Sequence, residues 1–418
     1  MVHYVDICIV GAGISGISCV TQLLESPACN GLNIQIFDMN AGIGGRVDSK
    51  YLDAIESIEL GAGRYSPQLH PNFQQAMQDY DQKNDIYPFT EVALKNSTQE
   101  KLRNTILSLV PMLKEHGNDS FLNFISSYLG EVEARKIIKS MGYDALFMPN
   151  ISAEMAYDII EKHPETQSFS KNKTNQWFYA SGGFVQLMAQ MKVQAQAKGV
   201  KFNFDHNLVS LQKKEDEYHL SFTNSANETL TYIARHVILA IPPSAMPKLG
   251  LNFPEDWSQY QYSSLPLFKG FLLYDAPWWQ AQQLEDKVII TDNPLRKIYF
   301  KGSKYIFFYT DSENASYWHD SLRNGEEAYL KEVHFHLSEA LDMADFSVPM
   351  PKEHHYKYWP HGVEFCVDTT IDHPFALLHK DNGVIACSDA YTSHCGWMEG
   401  GILSAKKSAG ILIERLSK

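Results

Sequence analysis

Apolar and polar positions follow two periods along the chain, and the changes of period mark its elements. Residues 5–10 (VDICIV) form a short apolar run that predicts a buried parallel strand. Residues 17–24 take helical spacing and stop at Ser26-Pro27. Residues 33–37 (NIQIF) predict a second strand, closed by Asp38, so a strand–helix–strand unit opens the sequence. Between about 70 and 170 the runs 102–113, 121–129 and 134–141 have helical spacing and few strand signals, which predicts a mainly helical insert. Ser181-Gly182-Gly183-Phe184 opens a helix through about Ala197. Residues 201–223 alternate like a hairpin, and 235–241 (RHVILAI) predict a buried strand stopped by Pro242-Pro243. Residues 265–310, rich in Phe, Tyr and Ile, predict a mixed sheet, and 326–343 a helix. Residues 383–388 (GVIACS) predict a last buried strand and 400–416 a last helix. The early and late strands share one buried-parallel character, which predicts a discontinuous nucleotide domain carrying inserted segments.

Length and charge narrow the function classes. A chain of 418 residues suits two to three domains and a large core without disulfides. The net charge of −13 argues against nucleic acid and against an anionic membrane surface. No apolar run reaches the roughly 20 residues of a membrane span. Cys8, Cys19, Cys29, Cys366, Cys387 and Cys395 form no CxxC pair, and several sit in apolar stretches. They read as reduced thiols, and with no secretory leader before the first strand the expected compartment is the cytoplasm.

The strongest chemical signal is Gly11-Ala-Gly-Ile-Ser-Gly16, which follows a strand directly and opens a helix. Gly11 permits the tight turn, Gly13 the approach of a pyrophosphate, and Gly16 close helix–strand packing. The helix start presents free N–H groups and a positive dipole end. Asp38, 22 residues beyond Gly16, stands where a carboxylate accepts from ribose hydroxyls. These features predict a Rossmann-type domain and suit FAD or NAD equally. Gly42-Ile-Gly-Gly-Arg46 adds glycines for a second stretch of close approach and an arginine able to pair with a pyrophosphate oxygen.

These residues resemble the flavin-containing amine oxidase family, which carries a GGR element after its dinucleotide fingerprint; the resemblance implies FAD. It extends in patches along most of the chain. Glu59-Leu-Gly-Ala-Gly-Arg-Tyr65 is similar to the segment over the flavin ring, which in the L-amino acid oxidase branch ends in a carboxylate-binding arginine, here Arg64. Residues 265–279 are similar to the strand whose lysine holds a water at flavin N5, here Lys269; Trp278 and Trp279 beside it read as packing. Residues 304–310 resemble a strand whose tyrosine touches the substrate carboxylate. Tyr309 fits best, with Tyr305 as the alternative. In Ala386-Cys-Ser-Asp-Ala-Tyr391, Asp389 matches the acid on the ribityl chain, with Ser388 departing from the usual glycine. In Gly396-Trp-Met-Glu-Gly-Gly401, Trp397 matches the aromatic lining the amine site and Gly396 the backbone near the carboxylate. The Gly400–Gly401 amides open the last helix toward the flavin N1–C2=O edge. Val209 resembles the residue whose backbone pairs with adenine, and Ile241-Pro-Pro the strand end near the same cofactor half.

The cofactor contacts implied are Gly11, Gly13, Ile14, Ser15, Gly16, Asp38, Gly44, Gly45, Arg46, Gly61, Ala62, Gly63, Arg64, Val209, Asp389, Trp397 and Met398. Lys269 and Trp397 carry the catalytic assignment, and Arg64, Tyr309, Gly396 and Trp397 the substrate assignment. Residues 356–366 lie where monoamine oxidases carry a covalent flavin cysteine in an SGGCY motif; that motif is absent, so FAD is expected to bind non-covalently, with Cys366 not a tether. Trp359 or Phe365 is left as a second wall of the site. His334, His336, His354 and His355 lack metal-pair spacing, and no metal is expected.

The resemblance implies an α/β fold in three parts. They are a discontinuous FAD-binding domain (1–55, 180–255, 376–418), a mixed-sheet substrate domain (56–95, 256–375) and a helical insert (96–179). It implies oxidation of the CH–NH2 bond of an L-amino acid by hydride transfer to flavin N5, with O2 and a small-molecule substrate as partners and a homodimer as the family habit. The products would be a 2-oxo acid, ammonia and hydrogen peroxide. Alternatives are an amine or polyamine oxidase that does not use Arg64, a desaturase or monooxygenase on the same scaffold, and a flavoprotein without catalysis.

Overall fold

The computed structural model describes residues 2–52, 57–91, 104–105, 108–109, 111–112, 119–153, 155–157, 175–249, 262–344, 347–366 and 383–418. They fall into two compact units, one of residues 1–85, 178–264 and 363–418, the other of 86–177 and 265–362.

The first unit is built on a seven-stranded sheet. Its path runs β8 (Lys201–Asn203), β2 (Ile34–Phe37), β1 (Val2–Val10), β11 (Thr229–Leu239), β10 (Glu217–Asn224), β9 (His206–Lys214), with β17 (Ile385–Ala386) beside β11. β1 lies parallel to β2 and β11, as uninterrupted burial of Ile7 to Val10 requires. The predicted hairpin over 201–223 divides. Residues 201–203 join β2 in parallel, while β9 and β10 form the antiparallel pair around Glu215, which takes a positive φ of 53°. Helices α1 (Ile14–Leu23) and α8 (Met398–Leu416) pack together on one face, where Cys19, Val20, Ile36, Ala405 and Leu412 share a core. Phe37, Leu220, Phe222, Val237 and Met246 fill the other.

Residues 57–85, expected beside the mixed sheet, pack in this first unit. Tyr65 exchanges both backbone hydrogen bonds with Phe178, at 2.9 and 2.8 Å, and Phe73 of α2 (Pro71–Asp79) joins Tyr65, Phe184 and Met398 in one core. Helix α5 (Val185–Ala197) adds Leu187, Met188 and Met191 to that core. Two ribbons complete the strand set: β3 (Ser49–Tyr51) with β4 (Ser57–Glu59), and β5 (Asn84–Ile86) with β7 (Phe178–Ala180).

The second unit carries a sheet in the order β16 (Glu353–Cys366), β12 (Tyr262–Leu273), β15 (Tyr305–Asp311), β14 (Lys297–Lys301), β13 (Lys287–Ile290), β6 (Thr90–Glu91). β12 to β13 pair antiparallel, and β6 pairs parallel with β13, so the sheet is mixed. Helices α6 (Ser312–Arg323) and α7 (Glu326–Ala340) bury Trp318, Tyr329, Val333 and Leu337 against Phe268, Phe300 and Phe308 on one face. Trp279 is core, its indole N–H donating to the Gly302 carbonyl at 2.7 Å, as the packing reading expected. Two insert helices are described, α3 (Phe121–Leu129) and α4 (Glu131–Met141), and much of 102–113 lies outside the described residues. No helix among the described residues is long and apolar enough to cross a membrane.

Candidate functional site

The first unit presents a cradle for a dinucleotide. Gly11 has φ +108°, and a Cβ there would meet the Ala240 carbonyl oxygen at 2.1 Å; one on Gly16 would meet the Gly11 oxygen at 1.9 Å. Both positions admit only hydrogen, the first for the turn and the second for helix–strand approach. Gly13, by contrast, faces nothing closer than 3.6 Å, which is the room a pyrophosphate needs beside it. α1 starts there without a side-chain cap, so its first amides point out of the helix unused by it.

The neighbouring glycine loop is tied to this turn. Gly44 donates its amide to the Ala12 carbonyl at 3.0 Å, and Gly13 and Gly44 bridge in parallel. Gly44 and Gly45 have φ +118° and +60°, which explains the paired glycines. Asp38, buried at the end of β2, accepts the Ala12 amide at 2.7 Å on one oxygen and the Asn40 amide at 2.8 Å on the other. It therefore fixes the turn itself. Val209 is the extra residue of a bulge, since Leu208 pairs with Phe222 and Ser210 with Ser221. A bulge takes backbone polar groups off the ladder, which suits a backbone contact to a base.

Arg46 and Asp389, assigned separately to pyrophosphate and ribityl, form an ion pair with one another. The other Asp389 oxygen accepts the Gly396 amide at 2.8 Å. Ser388, the departure from the family glycine, caps the following turn by accepting the Ala390 amide at 3.3 Å. Met398 is in the core, and a Cβ on Gly401 would meet Ile14 at 2.7 Å and Ser15 at 3.0 Å. The start of α8 and the start of α1 thus meet, and two positive helix ends point at one region. The glycine cradle, the doubled helix ends and Arg46 fit a dinucleotide carrying a pyrophosphate.

The Arg64 segment docks onto the Arg46 loop. Ala62 donates to the Arg46 carbonyl and Gly61 to the Asp48 carbonyl, both at 3.0 Å, and a Cβ on Gly61 would meet the Arg46 oxygen at 2.0 Å. Gly63 and half-buried Arg64 continue that line to Tyr65, which the Phe178 bonds fix.

Two carboxylates in these motifs, the buried Glu399 and the half-buried Glu59, are helix caps that the sequence did not reveal. Glu399 accepts the Phe73 amide at 2.8 Å and the Asn72 side chain at 2.6 Å, closing the start of α2. Glu59 accepts the Phe184 amide at 2.9 Å, just ahead of α5. In each case the carboxylate lies far along the chain from the helix it caps, so no local capping signal exists.

The second unit holds the other assigned residues. Lys269 pairs directly with Tyr309 across β12 and β15, and Tyr309 with Lys297 across β15 and β14. Directly opposed residues project to one face, so the three form a row. Phe271, Phe307 and Tyr299 form the adjacent stacked row, with ring centroids 5.5 and 4.3 Å apart. Tyr305, four positions from Tyr309, pairs with Leu273 instead of Lys269. Trp359 is half-buried with the Lys357 ammonium 4.5 Å from its ring, whereas Phe365 is buried in the first unit; the Cys366 side chain lies outside the described residues.

Sequence reasoning also missed a buried ionic clasp here. Arg296 donates Nε to Asp144 at 2.9 Å and Nη2 to the Lys139 carbonyl at 3.0 Å. The Lys297 ammonium lies 2.8 Å from the centre of the Tyr143 ring. Asp311 accepts the Ala145 amide at 2.7 Å. The clasp holds residues 139–145, at the end of α4, against β14 and β15. Burial, then the Asp144 carboxylate, push Asp311 up to about 7, against the Ala145 amide and Lys297.

Among the described residues no group of three or more His, Cys, Asp or Glu could hold a metal. The five cysteines whose side chains are described are free thiols.

The chain is 22% identical to achacin of Lissachatina fulica, over 85% of this chain and 81% of achacin. It is similar in structure to cyclohexylamine oxidase of Brevibacterium oxydans IH-35A, with a TM-score of 0.74, 16% identity, and 99% and 100% of the two chains covered. It is also similar to putrescine oxidase bound to putrescine, with a TM-score of 0.72, 15% identity and the same coverage. The family of flavin containing amine oxidoreductases matches residues 14–413. That match begins at the helix opened by the glycine cradle and runs through both units to the last turns of α8, so the chain belongs to the flavin-containing amine oxidoreductases.

Proposed function

We propose that the protein is an FAD-dependent L-amino acid oxidase. It would take the CH–NH2 bond of its substrate to an imine, which water converts to a 2-oxo acid and ammonia, with O2 as terminal acceptor and hydrogen peroxide as product. The observation that carries this reading is Arg64: a permanent cation, half-buried, on a segment hydrogen-bonded to the loop that follows the glycine cradle. A guanidinium grips a carboxylate in two parallel hydrogen bonds, and a simple amine gives it nothing to hold.

Gly11, Gly13, Gly16, Gly44, Gly45, Arg46 and Asp38 would hold the cofactor's dinucleotide part, and Asp389, Gly396 and the α8 start the flavin end. The bound flavin supplies the two-electron acceptor. The remaining work is positioning and charge. Arg64 would anchor the carboxylate, and Trp397 would wall the amino group.

Anaerobic bleaching of the bound flavin tests this. Mixed L-amino acids should bleach it, and mixed monoamines and polyamines should not. In Arg64→Ala the half-saturating amino acid concentration should rise about 100-fold, the loss expected for about 3 kcal/mol of charge-assisted hydrogen bonding. Bleaching by amines alone would retire Arg64 as the anchor and make the protein an amine oxidase.

A further inference from the structure

Trp397 is half-buried at the start of α8, and the buried His70 ring lies against it, with centroids 4.6 Å apart and planes tilted by 35°. His70 immediately precedes α2, six residues after Arg64. Its ring orientation is fixed, because Nδ1 accepts the Ser66 amide at 3.0 Å. An accepting Nδ1 carries no proton, so the ring is held as the neutral tautomer with its proton on Nε2. The backbone is fixed as well: the His70 amide donates to the Ser66 carbonyl at 2.7 Å, and the His70 carbonyl accepts from Gln74 at 2.9 Å. A second tie runs the same way, since Glu399, two residues after Trp397, caps α2 through Asn72 and Phe73.

We propose that His70 is a positioning residue: its ring backs Trp397 and sets the plane of that aromatic wall relative to the Arg64 segment. Ring-on-ring packing of this kind adds attraction beyond the area it buries, yet its larger effect is to leave Trp397 one orientation. A tryptophan free to tilt would still let a carboxylate bind Arg64. It would no longer hold the substrate carbon in attack geometry, and misplacement by about 1 Å costs up to 100-fold in rate. The inference rests on the L-amino acid oxidase reading for its kinetic arm and on this geometry alone for its spectroscopic arm.

The test uses flavin-loaded enzyme and two variants. His70→Asn keeps an acceptor for the Ser66 amide and removes the ring. His70→Phe keeps the ring and removes the acceptor. In His70→Asn the limiting rate of flavin reduction by L-amino acids should fall at least about tenfold, while the half-saturating concentration stays within about threefold. His70→Phe should restore the rate to within about threefold of wild type. Emission from Trp397, isolated by subtracting the spectrum of Trp397→Phe, should move to longer wavelength in His70→Asn and not in His70→Phe. Equal behaviour of the two variants, or wild-type rate and emission in His70→Asn, would overturn the proposal. Wild-type enzyme that no L-amino acid bleaches would overturn the oxidase reading instead, with the emission arm still deciding on His70.

Discussion

Asp311 is buried with its carboxyl pushed up to about 7, first by burial and then by the Asp144 carboxylate. A folded value above the ordinary 3.8 means that the folded chain takes up a proton as pH falls through 7, while the unfolded chain does so only near 4. Below about pH 4 both forms are protonated and the group is neutral toward stability. As pH rises toward 7 a penalty accumulates, and above 7 it is complete. Three pH units at about 1.4 kcal/mol each bound it at about 4 kcal/mol. Between pH 5 and pH 8 the penalty should grow by about 2–3 kcal/mol. Asp311→Asn keeps an oxygen to accept the Ala145 amide and removes the charge. Its stability relative to wild type should therefore climb by that amount from pH 5 to pH 8, whatever constant cost the new amide brings. Urea unfolding followed by circular dichroism at both pH values measures it. A wild-type minus variant difference that does not change with pH would refute the reasoning, because it would place the Asp311 charge in an environment no worse than water. Arg296→Met provides a control of opposite sense. It leaves Asp144 buried without its cation, and should cost about 3–5 kcal/mol at pH 8.

Other parts of the structure make sharp predictions. Gly16→Ala forces a Cβ to within 1.9 Å of the Gly11 carbonyl oxygen, so the purified protein should lack flavin absorbance; retention of full flavin content would count against the cradle. Glu399→Ala leaves the first amides of α2 without their carboxylate and should lower stability by about 1–2 kcal/mol, read as a lower urea midpoint. Asp389→Ala removes the partner of Arg46 and of the Gly396 amide, and flavin titration of the apoprotein should show binding weakened at least about tenfold; unchanged affinity would show the pair to be scaffold only.

The glycine cradle was legible in the sequence because its constraints are local: the turn at Gly11, the packing at Gly16 and the strand before them all fall within one short window. The same holds for β2 and α7, whose periods are uninterrupted. Two kinds of feature were not legible. α6, with the sequence SENASYWHDSLR, is polar along most of its length and buries only a few side chains, so its periodicity is faint. Contacts between distant segments leave no pattern either. Nothing near Glu399 or Glu59 says which helix each caps, nothing near Arg46 says that Asp389 is its partner, and nothing near Lys297 says that its ammonium meets Tyr143. The pairing of Lys269 with Tyr309 exists only through the register of β12 on β15, which a sequence of alternating residues does not specify between strands separated by other elements. His70 was passed over for the same reason: its partner ring lies at the other end of the chain.

The meeting of α1 and α8 has a consequence for biosynthesis. The Cys387 thiol reaches the Ser15 carbonyl across 372 residues of sequence, and Gly401 closes against the same turn of α1. A ribosome therefore delivers the dinucleotide turn early and the wall that completes it only near the end of translation. Until then β1 and β2 have exposed apolar faces and the glycine loop has no lid. Cofactor capture is a late event, and the nascent first unit must wait for its last helix while the second unit's strands emerge in between. Chains truncated within α8 should accumulate as chaperone-bound, flavin-free species, because the loss removes a piece of a core laid down hundreds of residues earlier.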